Sequence, residues 1–214
     1  MNKLIFVSGG ARSGKSSFSE TLAKNINNYY FSDKNKIAYI ATGVPFDDEF
    51  KLRIDKHKQE RDLTFQTYEE PLKIDNQLNS IFDKHDVFII ECISTWLGNV
   101  YYKIREEEAY RYIEVTIDDI LNILKKSDNY DKEKKYSDYV DSLFSNKKQK
   151  QKKFKILKDE KVVIIVSNET GLGIVPDNKL GRIFRDTIGF VNQKLSHLSD
   201  YSFFLINGTP LRLK

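Results

Sequence analysis

The sequence predicts an α/β fold, a mainly parallel sheet with flanking helices, on three observations. Near-continuous apolar runs stand at Leu4-Ile5-Phe6-Val7, Lys36-Ile37-Ala38-Tyr39-Ile40, Val87-Phe88-Ile89-Ile90 and Val162-Val163-Ile164-Ile165-Val166. A strand with one face in water alternates apolar and polar residues, so unbroken runs mean that both sheet faces are covered. Stretches with helical spacing separate the runs, as parallel strands require. The first run ends directly in Gly9-Gly10-Ala11-Arg12-Ser13-Gly14-Lys15-Ser16, which has the spacing G-x-x-x-x-G-K-[ST] of a phosphate-binding loop.

That loop stands between a strand and a helix, since Ser17 to Asn25 opens with helical residues. Glycines let backbone N–H groups turn inward around a polyphosphate, and the helix N-terminus adds a favourable dipole. In this geometry Gly9, Gly10, Ala11, Arg12, Ser13 and Gly14 wrap the phosphates. Lys15 reaches the β and γ phosphates, and the Ser16 hydroxyl holds Mg²⁺.

The composition sets the bounds. With 214 residues, 40% apolar and 31% charged, the chain is expected to form a single nucleotide-binding domain, 1–214, with a lysine-rich insertion at about 125–155. No apolar run approaches the length of a membrane helix. The first strand begins almost at once, so no signal peptide is expected. Cys92 is the only cysteine, which excludes a disulfide within the chain and fits a cytoplasmic setting. The net charge is +4 and much of the lysine lies in one segment, so the balance does not point to nucleic acid.

After the Lys36–Ile40 strand come Ala41-Thr42-Gly43 and the turn signal Val44-Pro45. Asp47-Asp48-Glu49 suits an acidic first helical turn, and that helix runs to about Glu60, with Phe46, Phe50 and Ile54 at four-residue spacing. Arg53, His57 and Arg61 form a second four-spaced line. By spacing alone that line is either a solvated charged face or a phosphate contact. Leu63 to Tyr68 alternates as a strand, Glu69-Glu70-Pro71 punctuates, and Leu72 to Phe82 has helical spacing. The Val87–Ile90 strand ends in Glu91. That is where a Walker-B carboxylate belongs, though an ordinary strand-end acid reads the same way.

Ser94 to Tyr102 is a short amphipathic piece with Trp96 and Asn99, and a helix from Arg105 to about Leu124 follows. Lys125 to Lys155 is poor in apolar residues, and the Lys147–Lys153 run reads as a solvated face. The Val162–Val166 strand leads into the glycine-bearing loop Ser167–Pro176. Asp177 then starts a long helix with Leu180, Ile183, Phe184, Ile188, Val191, Leu195 and Leu198 as its core stripe. Its second face carries Arg182, Arg185, Asp186, Gly189, Asn192 and Gln193. That face is either a site, a subunit contact or a structural hydrogen-bond network. Tyr201 to Ile206 is the last core strand, and Leu211 to Lys214 adds an edge strand. The phosphate loop, Thr42, Glu91 and the Asn168-Glu169 loop all fall at the carboxyl ends of strands, where such sheets bind ligands.

Together these motifs resemble the bifunctional adenosylcobinamide kinase/adenosylcobinamide-phosphate guanylyltransferases of cobalamin synthesis. The marks are the glycine loop, Tyr39-Ile40-Ala41-Thr42, Asp47-Asp48-Glu49, Arg53-Ile54 with His57 and Arg61, and Glu91 to Leu97 with Asn99. They continue in Asn168-Glu169 through Pro176, Phe184-Arg185-Asp186, Gly189, Val191-Asn192-Gln193 and Gly208-Thr209-Pro210. The resemblance covers nearly the whole chain except Lys125 to Lys155. It implies a RecA-like P-loop NTPase fold and a homotrimer.

The resemblance also implies two reactions. ATP or GTP phosphorylates the aminopropanol hydroxyl of adenosylcobinamide. GTP then donates GMP to adenosylcobinamide phosphate, giving adenosylcobinamide-GDP and pyrophosphate by way of a guanylylated histidine. His57 becomes the nucleophile on this ground, and a neutral imidazole suits attack on phosphorus. Arg53, Lys58 and Arg61 would offset charge on the triphosphate. Glu91 would bind Mg²⁺ directly or through water. Glu69 would contact the nucleotide by its position in the family pattern, with Ala41, Thr42 and Gly43 beside it. Where some relatives carry paired histidines, Lys56 precedes the single His57 here.

Three rival readings each have a discriminating feature. A plain small-molecule kinase would make His57 dispensable. A GTP-binding switch would need an N-K-x-D motif, which the sequence lacks, and its D-x-x-G at Asp186–Gly189 falls inside a predicted helix. A nucleic-acid-binding protein would act through the lysine run with strong salt dependence.

Overall fold

The computed structural model describes residues 2–31, 37–44, 63–125 and 160–214. In chain order these form β1 (Lys3–Gly9), α1 (Lys15–Tyr30), β2 (Ile37–Ala41), β3 (Phe65–Glu69), α2 (Ile74–Ile81) and β4 (Val87–Glu91). There follow α3 (Ile93–Lys103), α4 (Glu106–Lys125), β5 (Val162–Asn168), α5 (Lys179–Leu198), β6 (Tyr201–Ile206) and β7 (Thr209–Arg212). The strands make one seven-stranded sheet in the order β3-β2-β4-β5-β1-β6-β7. Every pairing is parallel except β6 with β7.

The unbroken apolar runs have the expected cause. Ile5, Val7, Ile37, Tyr39, Ile89 and Ile164 point to the face covered by Ala23 and Ile26 of α1. Phe6, Ile40, Phe88, Ile90, Val163 and Ile165 point to the opposite face, packed with side chains from α2, α3, α4 and α5. Trp96 on α3 is fully buried there, and its indole N–H donates to the Leu72 carbonyl at 2.8 Å.

Register places the site. Glu91 pairs with Ala41 on one side and Val166 on the other, and Ala41 pairs in turn with Glu69. Gly9 pairs with Asn168. The strand ends that carry the singled-out polar residues therefore share the carboxyl edge of the sheet.

Several boundaries differ from the sequence expectation for local reasons. Helix α1 starts at Lys15, not Ser17, because Gly14 in the left-handed region turns the chain straight into the helix. Helix α2 starts at Ile74, because the Glu70 carboxylate accepts the Leu72 and Lys73 N–H groups at 2.8 Å each and holds that stretch in a turn. Helix α5 starts at Lys179, capped by Asn178, whose side-chain oxygen accepts from the Gly181 N–H at 2.7 Å. Leu180, assigned to the core stripe by spacing, is 54% exposed, because the first turn of α5 lies outside the packed region. The edge strand forms, but as Thr209–Arg212. Asn207 and Gly208 both have positive φ, as a two-residue hairpin turn requires. Pro210 fits there because an edge strand tolerates a missing donor.

The expected helix over 47–60 and most of the 125–155 insertion lie outside the described residues. No helix among the described residues is long and apolar enough to cross a membrane.

Candidate active site

The glycine loop is shaped by close approach. A Cβ on Gly9 would stand 2.6 Å from the Leu205 carbonyl oxygen and 2.8 Å from Ser13 Oγ, so only glycine fits. Gly14 has φ +89°, which favours glycine. The Ser13 N–H donates to the Gly10 carbonyl at 3.3 Å, and the Gly208 N–H donates to the Ser13 carbonyl at 3.0 Å. The β6–β7 hairpin thereby braces the loop. Ala11 and Arg12 are exposed at its tip.

Lys15 is buried, at 7% exposure. Its ammonium folds back to donate to the Gly10 carbonyl at 2.6 Å and lies 3.5 Å from Ser13 Oγ. Burial lowers its pKa from the ordinary 10.5, while Cys92 and Glu91 act in the opposite direction. The leading N–H groups of α1 have no partner within the helix.

Glu91 ends β4 with both carboxylate oxygens engaged. Oε1 accepts from the Ser16 hydroxyl, and Oε2 accepts from the Tyr39 hydroxyl at 2.6 Å. The Glu91–Cys92 peptide bond is cis. Oxygen donors from a hydroxyl and a carboxylate fit Mg²⁺, which takes few protein ligands and keeps water and phosphate for the rest. Among the described residues, no group of three or more His, Cys, Asp or Glu converges as a metal site.

Thr42 follows β2 and is fully buried. Its N–H donates to the Glu91 carbonyl at 3.0 Å. Its hydroxyl donates to the Cys92 carbonyl and accepts from the Cys92 N–H, each at 2.9 Å. Its carbonyl accepts from Asn99 Nδ2 at 2.7 Å. Ala41 and Gly43 beside it are half-buried. Glu69 is exposed at the end of β3.

On the other side of β4, the Asn168 amide donates to Ser94 Oγ at 2.7 Å, and the Asn168 carbonyl accepts from Asn192 Nδ2 at 3.0 Å. The Glu169 N–H donates to the Gly9 carbonyl at 2.9 Å. Arg182 donates to the Pro176 and Asp177 carbonyls, and Arg185 donates to the Gly171 carbonyl at 2.7 Å. Of the three alternatives for the second face of α5, these bonds fit a hydrogen-bond network that holds the 169–178 loop.

The structure thus brings together the glycine loop, Lys15, Ser16, Thr42 and Glu91. His57, Lys58, Arg61 and Arg53 lie outside the described residues. His85 just precedes β4, at the amino edge of the sheet, and its Nε2 lies 2.9 Å from the Tyr68 hydroxyl. His197 is in the last turn of α5.

Sequence reasoning did not assign roles to Tyr39 or Asn99. Tyr39 hides in an apolar run, although its phenol needs a partner when buried. Register holds the missing signal, since Tyr39 pairs with Ile89, two residues before Glu91 and on the same sheet face.

Residues 5–213 match a family described as cobinamide kinase / cobinamide phosphate guanyltransferase. The chain is 31% identical to the bifunctional adenosylcobalamin biosynthesis protein CobU of Salmonella typhimurium, over 99% of each chain. It is 29% identical to the CobU protein of Escherichia coli, again over 99% of each. With the bifunctional adenosylcobalamin biosynthesis protein CobP of Pseudomonas aeruginosa the identity is 28%, over 96% of this chain and 94% of that one.

Proposed function

The chain belongs to the cobinamide kinase/cobinamide phosphate guanyltransferase family and has both activities in cobalamin biosynthesis, and we propose that it exerts them at the carboxyl edge of its sheet as a RecA-like P-loop enzyme. The observation that carries this reading is the contact between the Ser16 hydroxyl and the Glu91 carboxylate, next to the buried Lys15.

In the kinase reaction the N–H groups of Gly9 to Gly14 and of the first turn of α1 surround the phosphates of ATP or GTP. Lys15 exchanges the Gly10 carbonyl for the β and γ phosphates. Ser16 and Glu91 hold Mg²⁺, which when bound offsets phosphate charge. The aminopropanol hydroxyl of adenosylcobinamide attacks the γ-phosphorus, the bond to the bridging oxygen breaks, and the nucleoside diphosphate leaves. Little covalent work falls to the protein here, since positioning and charge do most of it.

In the second reaction His57 attacks the α-phosphorus of GTP and pyrophosphate leaves. Arg53, Lys58 and Arg61 stabilise the departing charge. The phosphate of adenosylcobinamide phosphate then attacks the guanylylated histidine, giving adenosylcobinamide-GDP and restoring His57. Ala41, Gly43 and Glu69 lie beside the bound nucleotide. The assembly is a homotrimer, and its nucleoside triphosphate substrates fit a cytoplasmic setting.

Phosphorylation of adenosylcobinamide tests the site assignment. Lys15→Ala and Glu91→Gln should each abolish transfer of the γ-phosphate, with the folded state intact by circular dichroism. Full activity in either variant removes that residue from the site.

A further inference from the structure

We propose that Thr42 is a positioning residue that holds Glu91 in place and makes no contact with the nucleotide. The inference rests on the functional reading of Glu91 as the carboxylate that takes the metal ion, and it changes the role expected of Thr42 from sequence.

Thr42 has four hydrogen-bonding functions, and the protein uses all of them. Its N–H goes to the Glu91 carbonyl at 3.0 Å. Its hydroxyl hydrogen goes to the Cys92 carbonyl, and its hydroxyl oxygen takes the Cys92 N–H. Its own carbonyl takes the Asn99 amide at 2.7 Å. The residue is 0% exposed. A hydroxyl whose single hydrogen is already given to a backbone carbonyl has none left for a phosphate oxygen.

The three bonds that Thr42 makes on its N–H and hydroxyl all end on residues 91 and 92. They fix the backbone from which the Glu91 carboxylate projects. Asn99 closes a ring. Its amide donates to Thr42 and also to the Pro71 carbonyl at 3.0 Å, and it stands on α3, the helix that Cys92 itself caps. The path from Cys92 through α3 to Asn99, Thr42 and back to Cys92 is continuous. Removing the hydroxyl takes away the partner of the Cys92 N–H and leaves the Cys92 carbonyl with the Trp96 N–H of α3, so the backbone at residues 91 and 92 loses this tie to the end of β2 and Glu91 shifts away from Ser16. Partners of this kind typically control metal affinity or activity by about 10- to 100-fold.

The test uses Mn²⁺ as the probe ion, read by the electron paramagnetic resonance signal of free Mn²⁺ in the presence of GTP. GTP affinity without metal, in chelator, is read in parallel. Thr42→Val should weaken Mn²⁺ binding by about 10- to 100-fold and leave metal-free GTP affinity at the wild-type value. Thr42→Ser keeps the hydroxyl and should restore Mn²⁺ binding. Asn99→Leu, which frees the Thr42 carbonyl, should weaken the ion in the same direction and serves if Thr42→Val does not fold.

A loss of metal-free GTP affinity in Thr42→Val would make Thr42 a nucleotide contact and overturn the inference. Unchanged Mn²⁺ binding in a folded Thr42→Val or Asn99→Leu, with wild type binding both GTP and Mn²⁺, would overturn the inference alone. A wild-type protein that binds neither would overturn the functional reading and this inference together.

Discussion

The Tyr39 hydroxyl donates to Glu91 Oε2 at 2.6 Å, from the strand beside the one that Glu91 ends. Because Tyr39 is 2% exposed, its ring is fixed by packing and its hydroxyl has little freedom to turn elsewhere. Tyr39→Phe keeps the ring and removes the hydroxyl that makes this bond. If Glu91 holds Mg²⁺ as proposed, kcat for phosphorylation should fall by about tenfold, the effect typical of a residue that orients a metal ligand. The stability loss should be about 1 kcal/mol, read by urea unfolding with Trp96, the only tryptophan, as the fluorescent reporter. An unchanged kcat would show that the carboxylate keeps its orientation without Tyr39.

The buried Lys15 gives a pH signature. Burial holds its pKa below 10.5 in the protein without nucleotide. The ammonium is therefore lost at lower pH than for an ordinary lysine, and the profile of kcat/KM, which reports the free enzyme, should fall on its alkaline side below that value. Lys15→Arg stays charged throughout, so its lower residual activity should lack that limb. An alkaline limb that persists in the arginine variant would assign it to another group.

Two neighbouring glycines should behave differently. Gly9→Ala drives a methyl group into the Leu205 carbonyl and Ser13 Oγ, and a backbone forced to shift there should cost about 1–3 kcal/mol. A Cβ on Gly10 meets nothing within 4 Å, so Gly10→Ala should stay within about 0.5 kcal/mol of wild type in stability. Urea unfolding of the two variants, side by side, checks the contrast. Equal losses would show that the braced shape of the loop does not depend on Gly9.

The strands were legible because both faces of the sheet are covered, which leaves no polar residue to interrupt β1, β4 or β5. The glycine loop was legible because its spacing is local. Thr42 and Glu91 were placed together by topology, since parallel strands share one carboxyl edge. What was not legible depends on register and packing. That Tyr39 reaches Glu91 requires knowing which residues stand opposite one another on β2 and β4. That Leu180 is exposed requires knowing where α5 leaves the sheet, because helical spacing alone continues past that point. The bonds from Arg182, Arg185 and Asn192 end on backbone carbonyls, which no side-chain pattern encodes.

Covalent labelling decides whether one chain performs both transfers with His57 as the guanylyl carrier. The protein is incubated with Mg²⁺ and GTP labelled at the α-phosphate, in wild type and His57→Ala. Acid-labile, alkali-stable label is expected on the wild type and none on the variant, with adenosylcobinamide phosphate still formed by both. Label that persists in His57→Ala, or its absence from a wild-type protein that makes adenosylcobinamide-GDP, would contradict that role of His57.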